Sequence, residues 1–382
     1  MPKQLLSILV VLLFMSCNNT KQSHIAHKAT TSLMDKSFIG TYTRDEGWVH
    51  GKADGIYSFL LDDSGNLIDV KKEVSTINPS FVAKSKNGKF LLAVSELGRP
   101  DEKHGLIKSY KIETDRLIEV SVQSTIGTGP CYVSSSLDGN LVFVANYSGG
   151  SISSYRLDEN GILTLGDSKQ FTGKGTHPRQ ESAHAHAIYP HPADHLVFVP
   201  DLGNDKIWIM KYDKEGVFTT GSQPYLEVKS ESGPRHISIS KDGKHIYVLN
   251  ELSNTISHFM KDKEDYILAD YYPTLPDGFI GENTSADIHI HPSGKFLYSS
   301  NRGHNSIAQY SIQEDGSLSG HTIFSSEGAV PRNFNITPDG RYLLVANQDS
   351  DDVVSFKIEE KDGRLNKIAV ADSIYTPVCI EW

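Results

Sequence analysis

The chain has 382 residues, of which 37 are Lys or Arg and 47 are Asp or Glu, so its formal net charge at pH 7 is −10. Nucleic-acid phosphates are bound by clustered cations, so an acidic chain without a Lys/Arg block does not fit a nucleic-acid-binding protein, and its charge also disfavours anionic lipid. Three Cys are too few for a disulfide framework, and the 31 Gly and 16 Pro exclude collagen-like and low-complexity classes.

The N terminus has the pattern of an export signal. Lys3 is followed by the apolar run 5–14, interrupted only by Ser7, and the run ends at Ser16 and Cys17. This run is too short to span a bilayer but fits the apolar part of a signal peptide. A small residue before such a Cys resembles the lipobox of bacterial lipoproteins. We therefore predict a lipoprotein signal over 1–17, lipidation of Cys17 and a flexible tether over 18–37; a plain secretory signal is the alternative. In both cases the chain faces the periplasm.

A phrase of about fifty residues recurs six times from residue 78 onward. Each copy has a short opening, a strand, a tight turn, a second strand and a polar corner. The turns lie at residues 88, 139, 194, 243, 294 and 340. Strand-like second segments follow five of them, at 141–145, 196–200, 245–249, 296–299 and 342–346. Alternating third segments, such as 151–155 and 306–310, are typical of strands with one buried face. Four strands in a unit of this length are typical of a propeller blade.

The two ends of the chain supply the missing seventh blade. Residues 376–380 read as an innermost strand with nothing after it, whereas 38–42 and 55–59 read as later strands without an innermost one. Pairing the two ends would close the ring and remove an open sheet edge, which would otherwise invite aggregation. The sequence therefore predicts an all-β, seven-bladed propeller over 38–382, and a closed propeller is expected to be a monomer.

The openings and corners of the later blades carry charge that a scaffold would not need. Unpaired buried charge is costly, so a cationic pocket containing one or two acids suggests recognition of an anion or a developing oxyanion. The candidates in the openings are His184, His186, Arg235, His236, Asp287 and Arg332. The corners add Glu251, Arg302 and Gln348, and Arg179 lies just upstream of the histidine pair.

Several of these phrases, in order and in register, resemble the lactonase family of seven-bladed propellers. The matching stretches are 145–150, 179–186, 199–205, 233–236 with 250–252, and 331–334. This family includes 6-phosphogluconolactonases and fungal 3-carboxymuconate lactonizing enzymes. The resemblance implies hydrolysis of a sugar lactone, a small-molecule substrate, no cofactor and no metal. It places the family's catalytic His, Arg, Glu and second Arg on His186, Arg235, Glu251 and Arg302.

The roles of the remaining candidates stay open at the level of sequence. We expect His184, Arg179, His236, Asp287, Arg332 and Gln348 to bind substrate, although His236 alternates to the other side of its strand and has a structural role as its alternative. Either Glu251 or His186 would activate water, and the other could protonate the leaving ring oxygen. Two other functions remain: a muconate-type lactonizing cycloisomerase, and a surface propeller that binds glycans or proteins without catalysis.

The remaining chemistry-bearing residues favour structural roles. The histidines at 184, 186, 191 and 195 invite a zinc site, but no third ligand has a fixed spacing and no Cys is near. Asp201 and Asp205 could hold calcium, yet Asp is common in turns. Cys131 and Cys379 lie in strand-like runs, so we expect buried free thiols. Trp48, Trp208 and Trp382 are predicted to be packing anchors.

Overall fold

Seven separate four-stranded sheets make up the fold. A computed structural model describes residues 36–99 and 101–382, which contain 28 β-strands and no α-helix. Accordingly, no membrane-crossing helix occurs in this part of the chain. The predicted signal segment, Cys17 and residues 18–35 of the predicted tether lie outside the described residues. The first strand begins at Ser37, one residue before the predicted domain boundary.

The strands follow the predicted repeat in chain order. The first three are β1 (Ser37–Thr41), β2 (Ile56–Leu61) and β3 (Leu67–Val74). Blade 1 contains β4 (Val82–Lys84), β5 (Phe90–Ser95), β6 (Leu106–Ile112) and β7 (Leu117–Ser124). Blade 2 contains β8 (Pro130–Ser135), β9 (Leu141–Asn146), β10 (Ser151–Leu157) and β11 (Leu163–Gln170). Blade 3 contains β12 (Tyr189–Pro190), β13 (Leu196–Asp201), β14 (Lys206–Tyr212) and β15 (Phe218–Glu227).

The second half repeats the pattern and ends on a single strand. Blade 4 contains β16 (Pro234–Ile239), β17 (His245–Asn250), β18 (Thr255–Asp262) and β19 (Asp265–Pro273). Blade 5 contains β20 (Thr284–Ile290), β21 (Phe296–Arg302), β22 (Ser306–Ile312) and β23 (Leu318–Ser325). Blade 6 contains β24 (Pro331–Ile336), β25 (Tyr342–Asn347), β26 (Asp352–Ile358) and β27 (Leu365–Ala371). The last strand is β28 (Pro377–Glu381).

The closing blade is shared between the two ends of the chain, as the sequence predicts. Its strand order is β28-β1-β2-β3, and β1 pairs with β28 from Phe38 opposite Glu381 onward. The all-β, seven-bladed architecture is thereby confirmed. Closure pairs β1 along both of its edges, with β28 and with β2, so it leaves no unpaired edge on this strand.

Apolar residues of the inner strands form the core in separate layers between adjacent blades. One such layer joins Phe143 and Ile152 of blade 2 to Val197 and Val199 of blade 3. The middle strands are buried on both faces because each sheet packs against two neighbours, which explains why β5 and β9 are apolar almost throughout. The tight turns at Gly88, Gly139, Gly243, Gly294 and Gly340 have φ between 68° and 76°, a region that favours glycine.

Candidate active site

One residue near the start of the innermost strand occupies an equivalent position in the different blades. In five blades a β-bulge interrupts the pairing between the first two strands near this residue, as at Cys131, Arg235 and Arg332. β-Bulges re-aim a side chain and are frequent beside active sites. The equivalent residue of blade 3 is His186, in an extended segment before β12 rather than in a strand as expected. It still pairs with the second strand, because its backbone N–H donates to the carbonyl of Pro200 at 2.9 Å.

A second ring of residues occupies the corner after the second strand of each blade. The backbone N–H of Glu251 donates to Gly233 at 2.7 Å, and the corresponding bond of Glu96 reaches Asn78 at 3.0 Å. Tyr147 makes the same bond to Gly129 at 2.8 Å, which fixes these corners in equivalent orientations. The full set of corner residues is Tyr42, Glu96, Tyr147, Leu202, Glu251, Arg302 and Gln348. The bulge ring and the corner ring therefore bring side chains from all seven blades to one end of the channel.

The centre of this arrangement is a buried carboxylate shared by three arginines. Glu251 is 2% exposed, and its Oε1 lies 2.6 Å from Nη1 of Arg179. Its Oε2 lies 3.0 Å from Nε of Arg235 and 3.1 Å from Nη2 of Arg302. Burial alone would raise the pKa of Glu251, but Arg302, Arg179 and Arg235 together hold it well below its usual range. Glu251 is therefore ionised and fully engaged in ion pairs.

His186 faces the same space as a neutral imidazole. Burial lowers its pKa well below the ordinary value, and the positive charge of Arg235 lowers it further. Its Nδ1 lies 3.8 Å from Sγ of Cys131, whose thiol donates to the carbonyl of His186 at 3.1 Å. Burial raises the pKa of Cys131, so this thiol is a weak nucleophile. The predicted buried, free state of Cys131 and Cys379 is confirmed.

Arg235 is also contacted by His236, which is hydrogen-bonded in turn to Asp287. Nδ1 of His236 lies 2.7 Å from Oδ1 of Asp287, and its Nε2 lies 3.3 Å from Nη1 of Arg235. Arginine can only donate, so Nε2 accepts and Nδ1 carries the proton that is shared with Asp287. Burial and the charge of Arg235 lower the pKa of His236 to about 4. Asp287 is also contacted by His289 at 3.1 Å and by the side-chain amide of Asn333.

Two neighbouring cavities open among these side chains. The larger one, of about 380 Å³, is lined by Trp48, Glu96, Cys131, Tyr147, Ser148, Arg179, His186, Glu251, Thr284, Arg302 and Arg332. A deeper one, of about 10 Å³, shares Glu96, Cys131, His186 and Arg332 with it and also touches Arg235 and His236. Since arginines outnumber carboxylates around both, the site suits a ligand that is anionic or becomes so during a reaction.

The sequence-predicted residues form two groups: those that line one of the cavities and those that line neither. Arg179, His186, Glu251, Arg302 and Arg332 line the larger cavity, and Arg235 and His236 line the deeper one. The candidates lining neither are His184, Asp287 and Gln348.

The three residues that line neither cavity contact other side chains of the protein. His184 stacks on Tyr147 with ring centroids 4.6 Å apart, and Asp287 is occupied by His236 and His289. The side-chain amide of Gln348 donates to Asp349 at 2.9 Å. Direct contact with substrate, which the sequence predicted for these three, is not what their positions favour.

The site also contains residues that sequence reasoning missed. Trp48 is not a packing anchor, because it is 58% exposed and lines the larger cavity, whereas Trp208 stacks on Phe171 and Trp382 packs on Phe59 as predicted. Glu96 occupies the corner of blade 1 that Glu251 occupies in blade 4. A signal for Glu96 is present in the sequence, since 95–97 (Ser-Glu-Leu) closely repeats 250–252 (Asn-Glu-Leu).

The residues weighed as metal ligands have protein partners. Asp201 accepts hydrogen bonds from the indole of Trp208 at 2.9 Å and from the backbone of His184 at 2.7 Å. Asp205 accepts from the Gln180 amide and the backbone of Gly233, each at 2.8 Å. Among residues 36–99 and 101–382, no group of three His, Cys, Asp or Glu side chains is arranged to hold a metal ion.

Fold and site together define a seven-bladed propeller with a cationic cavity at one end of its central channel. The sequence profile described as "Lactonase, 7-bladed beta-propeller" matches residues 36–382. The chain belongs to this lactonase family, which confirms the resemblance found in the sequence.

Relatives that are described as lactonases support the same assignment. The chain is 32% identical to a 6-phosphogluconolactonase of Bacillus subtilis, over 90% of this chain and 97% of the relative. It is 35% identical to a 6-phosphogluconolactonase of Formosa agariphila, over 87% and 94%. Among solved structures, the periplasmic gluconolactonase of Pseudomonas aeruginosa superposes with a TM-score of 0.83 at 29% identity, covering 91% of this chain and 98% of the other.

Proposed function

We propose that this protein hydrolyses a sugar lactone, as a carboxylic ester hydrolase. The observation that carries the proposal is the buried Glu251 with its three arginines, placed beside a neutral His186 in a cavity. Opening a lactone needs a base for water and fixed positive charge where the carbonyl oxygen becomes negative. The relatives described as 6-phosphogluconolactonases support the same reaction class.

In this proposal His186 is the base. The thiol of Cys131 donates to the His186 carbonyl, so at the 3.8 Å contact its sulfur is left to accept from Nδ1–H. This assigns the proton to Nδ1 and the free lone pair to Nε2. Water would lose a proton to Nε2 as its oxygen attacks the carbonyl carbon. The ring C–O bond then breaks, and the proton passes to the departing alkoxide, which leaves an open-chain hydroxy acid.

The arginines supply the positive charge for this step. Arg302 and Arg179 line the cavity, so their guanidiniums would bind the carbonyl oxygen as it becomes negative. Glu251 is shared among three cations and is therefore a weak base; its proposed role is to hold these guanidiniums in place. The sequence left the base undecided between Glu251 and His186, and the ion pairs favour His186.

Substrate panels test the proposal directly. The purified protein is assayed by proton release against glucono-δ-lactone, galactonolactone, 6-phosphogluconolactone and a muconolactone, with spontaneous hydrolysis subtracted. We expect hydrolysis of at least one aldonolactone, lost in the Arg235→Ala, Glu251→Gln double variant. The predicted export signal favours an unphosphorylated substrate, because 6-phosphogluconolactone is a cytosolic intermediate. Rates equal to the spontaneous background on every lactone would refute lactonase activity and favour a binding propeller.

We also propose that the chain is exported and anchored through Cys17. The apolar run at 5–14 supports this, and the similar protein of Pseudomonas aeruginosa is described as periplasmic. Lipid attachment adds apolar surface that partitions into a membrane. Expressed with radiolabelled palmitate, the natural chain should become labelled and sediment with membranes, whereas Cys17→Ser should remain unlabelled. Equal labelling of both chains would contradict the anchor.

A further inference from the structure

The larger cavity is lined by an aromatic side chain that is mostly exposed, Trp48. Trp48 lies in the loop between β1 and β2, and its ring meets Tyr42 edge-on at 5.2 Å, which leaves more than half of the side chain in solvent. Large aromatic side chains usually gain stability by burial, so a tryptophan left open along a cavity points to a ligand.

The loop carrying Trp48 is fastened rather than loose. Glu46 binds Nε of Arg99 at 2.9 Å and also pairs with Arg44, which reaches Oε1 of Glu102 at 2.7 Å. Val49, which directly follows Trp48, is buried in a small apolar cluster with Tyr42 and Val378. These contacts on both sides fix the position of the indole, so the ring is presented to the cavity at low entropic cost.

The carboxylate of Glu96 and the guanidinium of Arg332 line the same cavity as the Trp48 indole. The carboxylate oxygens accept hydrogen bonds, whereas the guanidinium donates them. Nη2 of Arg332 donates to the Tyr42 hydroxyl at 3.0 Å, and that hydroxyl donates to Oε2 of Glu96 at 2.8 Å. Within residues 36–99 and 101–382, no carboxylate lies within ion-pairing distance of Arg332, and Oε1 of Glu96 receives no hydrogen bond. The guanidinium carbon of Arg332 also lies 5.5 Å from the Trp48 ring.

Adjacent hydroxyl groups on a carbon chain satisfy this pair. A hydroxyl can donate to Glu96 while its neighbour accepts from Arg332, and the C–H face of the same chain can lie on the indole. A phosphate group could not donate to Glu96, and the carboxylate would repel it. We infer that Trp48, Glu96 and Arg332 form a subsite for the vicinal diol of an uncharged, hydroxylated part of the substrate. This inference rests on the proposed lactonase function.

The test compares a lactone that carries hydroxyl groups with one that has none. The ratio of kcat/KM for glucono-δ-lactone to that for δ-valerolactone, which has no hydroxyls, is measured for the natural protein and its variants. We expect Trp48→Ala and Glu96→Gln each to lower this ratio about tenfold, because a site built for hydroxyl groups discriminates through them. Trp48→Phe should retain most of it. Tyr375→Ala, which removes an aromatic side chain 46% exposed outside both cavities, should leave it unchanged.

Calorimetry with D-gluconate separates this inference from the lactonase proposal. If the natural protein hydrolyses lactones but Trp48→Ala and Glu96→Gln keep the natural ratio, the subsite is refuted and the lactonase stands. If no lactone is hydrolysed, gluconate binding that weakens at least tenfold in both variants still supports the subsite. If no lactone is hydrolysed and gluconate either fails to bind or binds the natural protein and both variants equally, the subsite is refuted too.

Discussion

Replacing Glu251 with glutamine is expected to lower the free energy of unfolding by about 3 kcal/mol, because removing one partner of a buried ion pair leaves the other charge uncompensated. Here three guanidiniums lose their shared counterion: Arg179, Arg235 and Arg302 approach Glu251 within 2.6 to 3.1 Å. We expect kcat/KM to fall at least 100-fold in the same variant, since the arginines would repel one another out of position. Equilibrium denaturation and the lactone assay measure the two effects.

A matched control is Glu327→Gln, which removes the same charge at the surface. Glu327 lies 2.9 Å from Lys367, but their side chains are 36% and 41% exposed. Such pairs contribute about 0–1 kcal/mol, so this variant should unfold almost as the natural protein does. If Glu251→Gln unfolded at the same denaturant concentration as Glu327→Gln, the arginines would not depend on Glu251 as their counterion.

Replacing His186 with asparagine is expected to lower kcat about 10²–10⁴-fold with little change in KM, which is the usual contribution of a positioned base. Because burial keeps the pKa of His186 below its ordinary value, the active neutral form persists as the pH falls through 6.5. The acidic limb of kcat/KM should therefore lie below pH 6.5 in the natural protein. It should be absent from the residual activity of the variant. Initial rates from a pH-stat between pH 5 and 8 measure both profiles.

The control for this prediction is His195→Asn, because His195 is exposed in the turn before β13. Its kinetics should match those of the natural protein. A natural profile half-maximal at pH 6.5 or above would exclude a buried neutral histidine as the base. An unchanged kcat in His186→Asn would exclude His186 itself.

Much of the site could be predicted because the repeat defines equivalent positions. Arg235 and Arg332 follow Pro at the start of their strands, and His186 stands at the same place in blade 3. Glu251 and Arg302 each follow an Asn, at the end of a second strand. The sequence alone therefore shows where a charged side chain occupies a position that is neutral in other blades.

Errors arose where a residue lies outside the repeat or where its neighbours decide its role. Trp48 belongs to the corner loop of the closing blade, which is longer than the corners of the other blades. Its exposure therefore depends on how the contacts of Glu46 and Val49 hold that loop. Asp287 carries the right chemistry but lines neither cavity, because it binds His236, which in turn contacts Arg235. The side that Asp287 faces depends on the bulge near the start of its strand, and periodicity does not reveal a bulge.

The sequence by itself determined the seven-bladed architecture, the closure by both ends and the family, because strand alternation and turn spacing are local properties repeated along the chain. Only the tertiary structure decided that three arginines from different parts of the chain share Glu251, and that Glu96 and Trp48 face the same cavity. Ion pairing and burial join residues that are far apart in sequence, and they set which carboxylate is engaged and which histidine stays neutral.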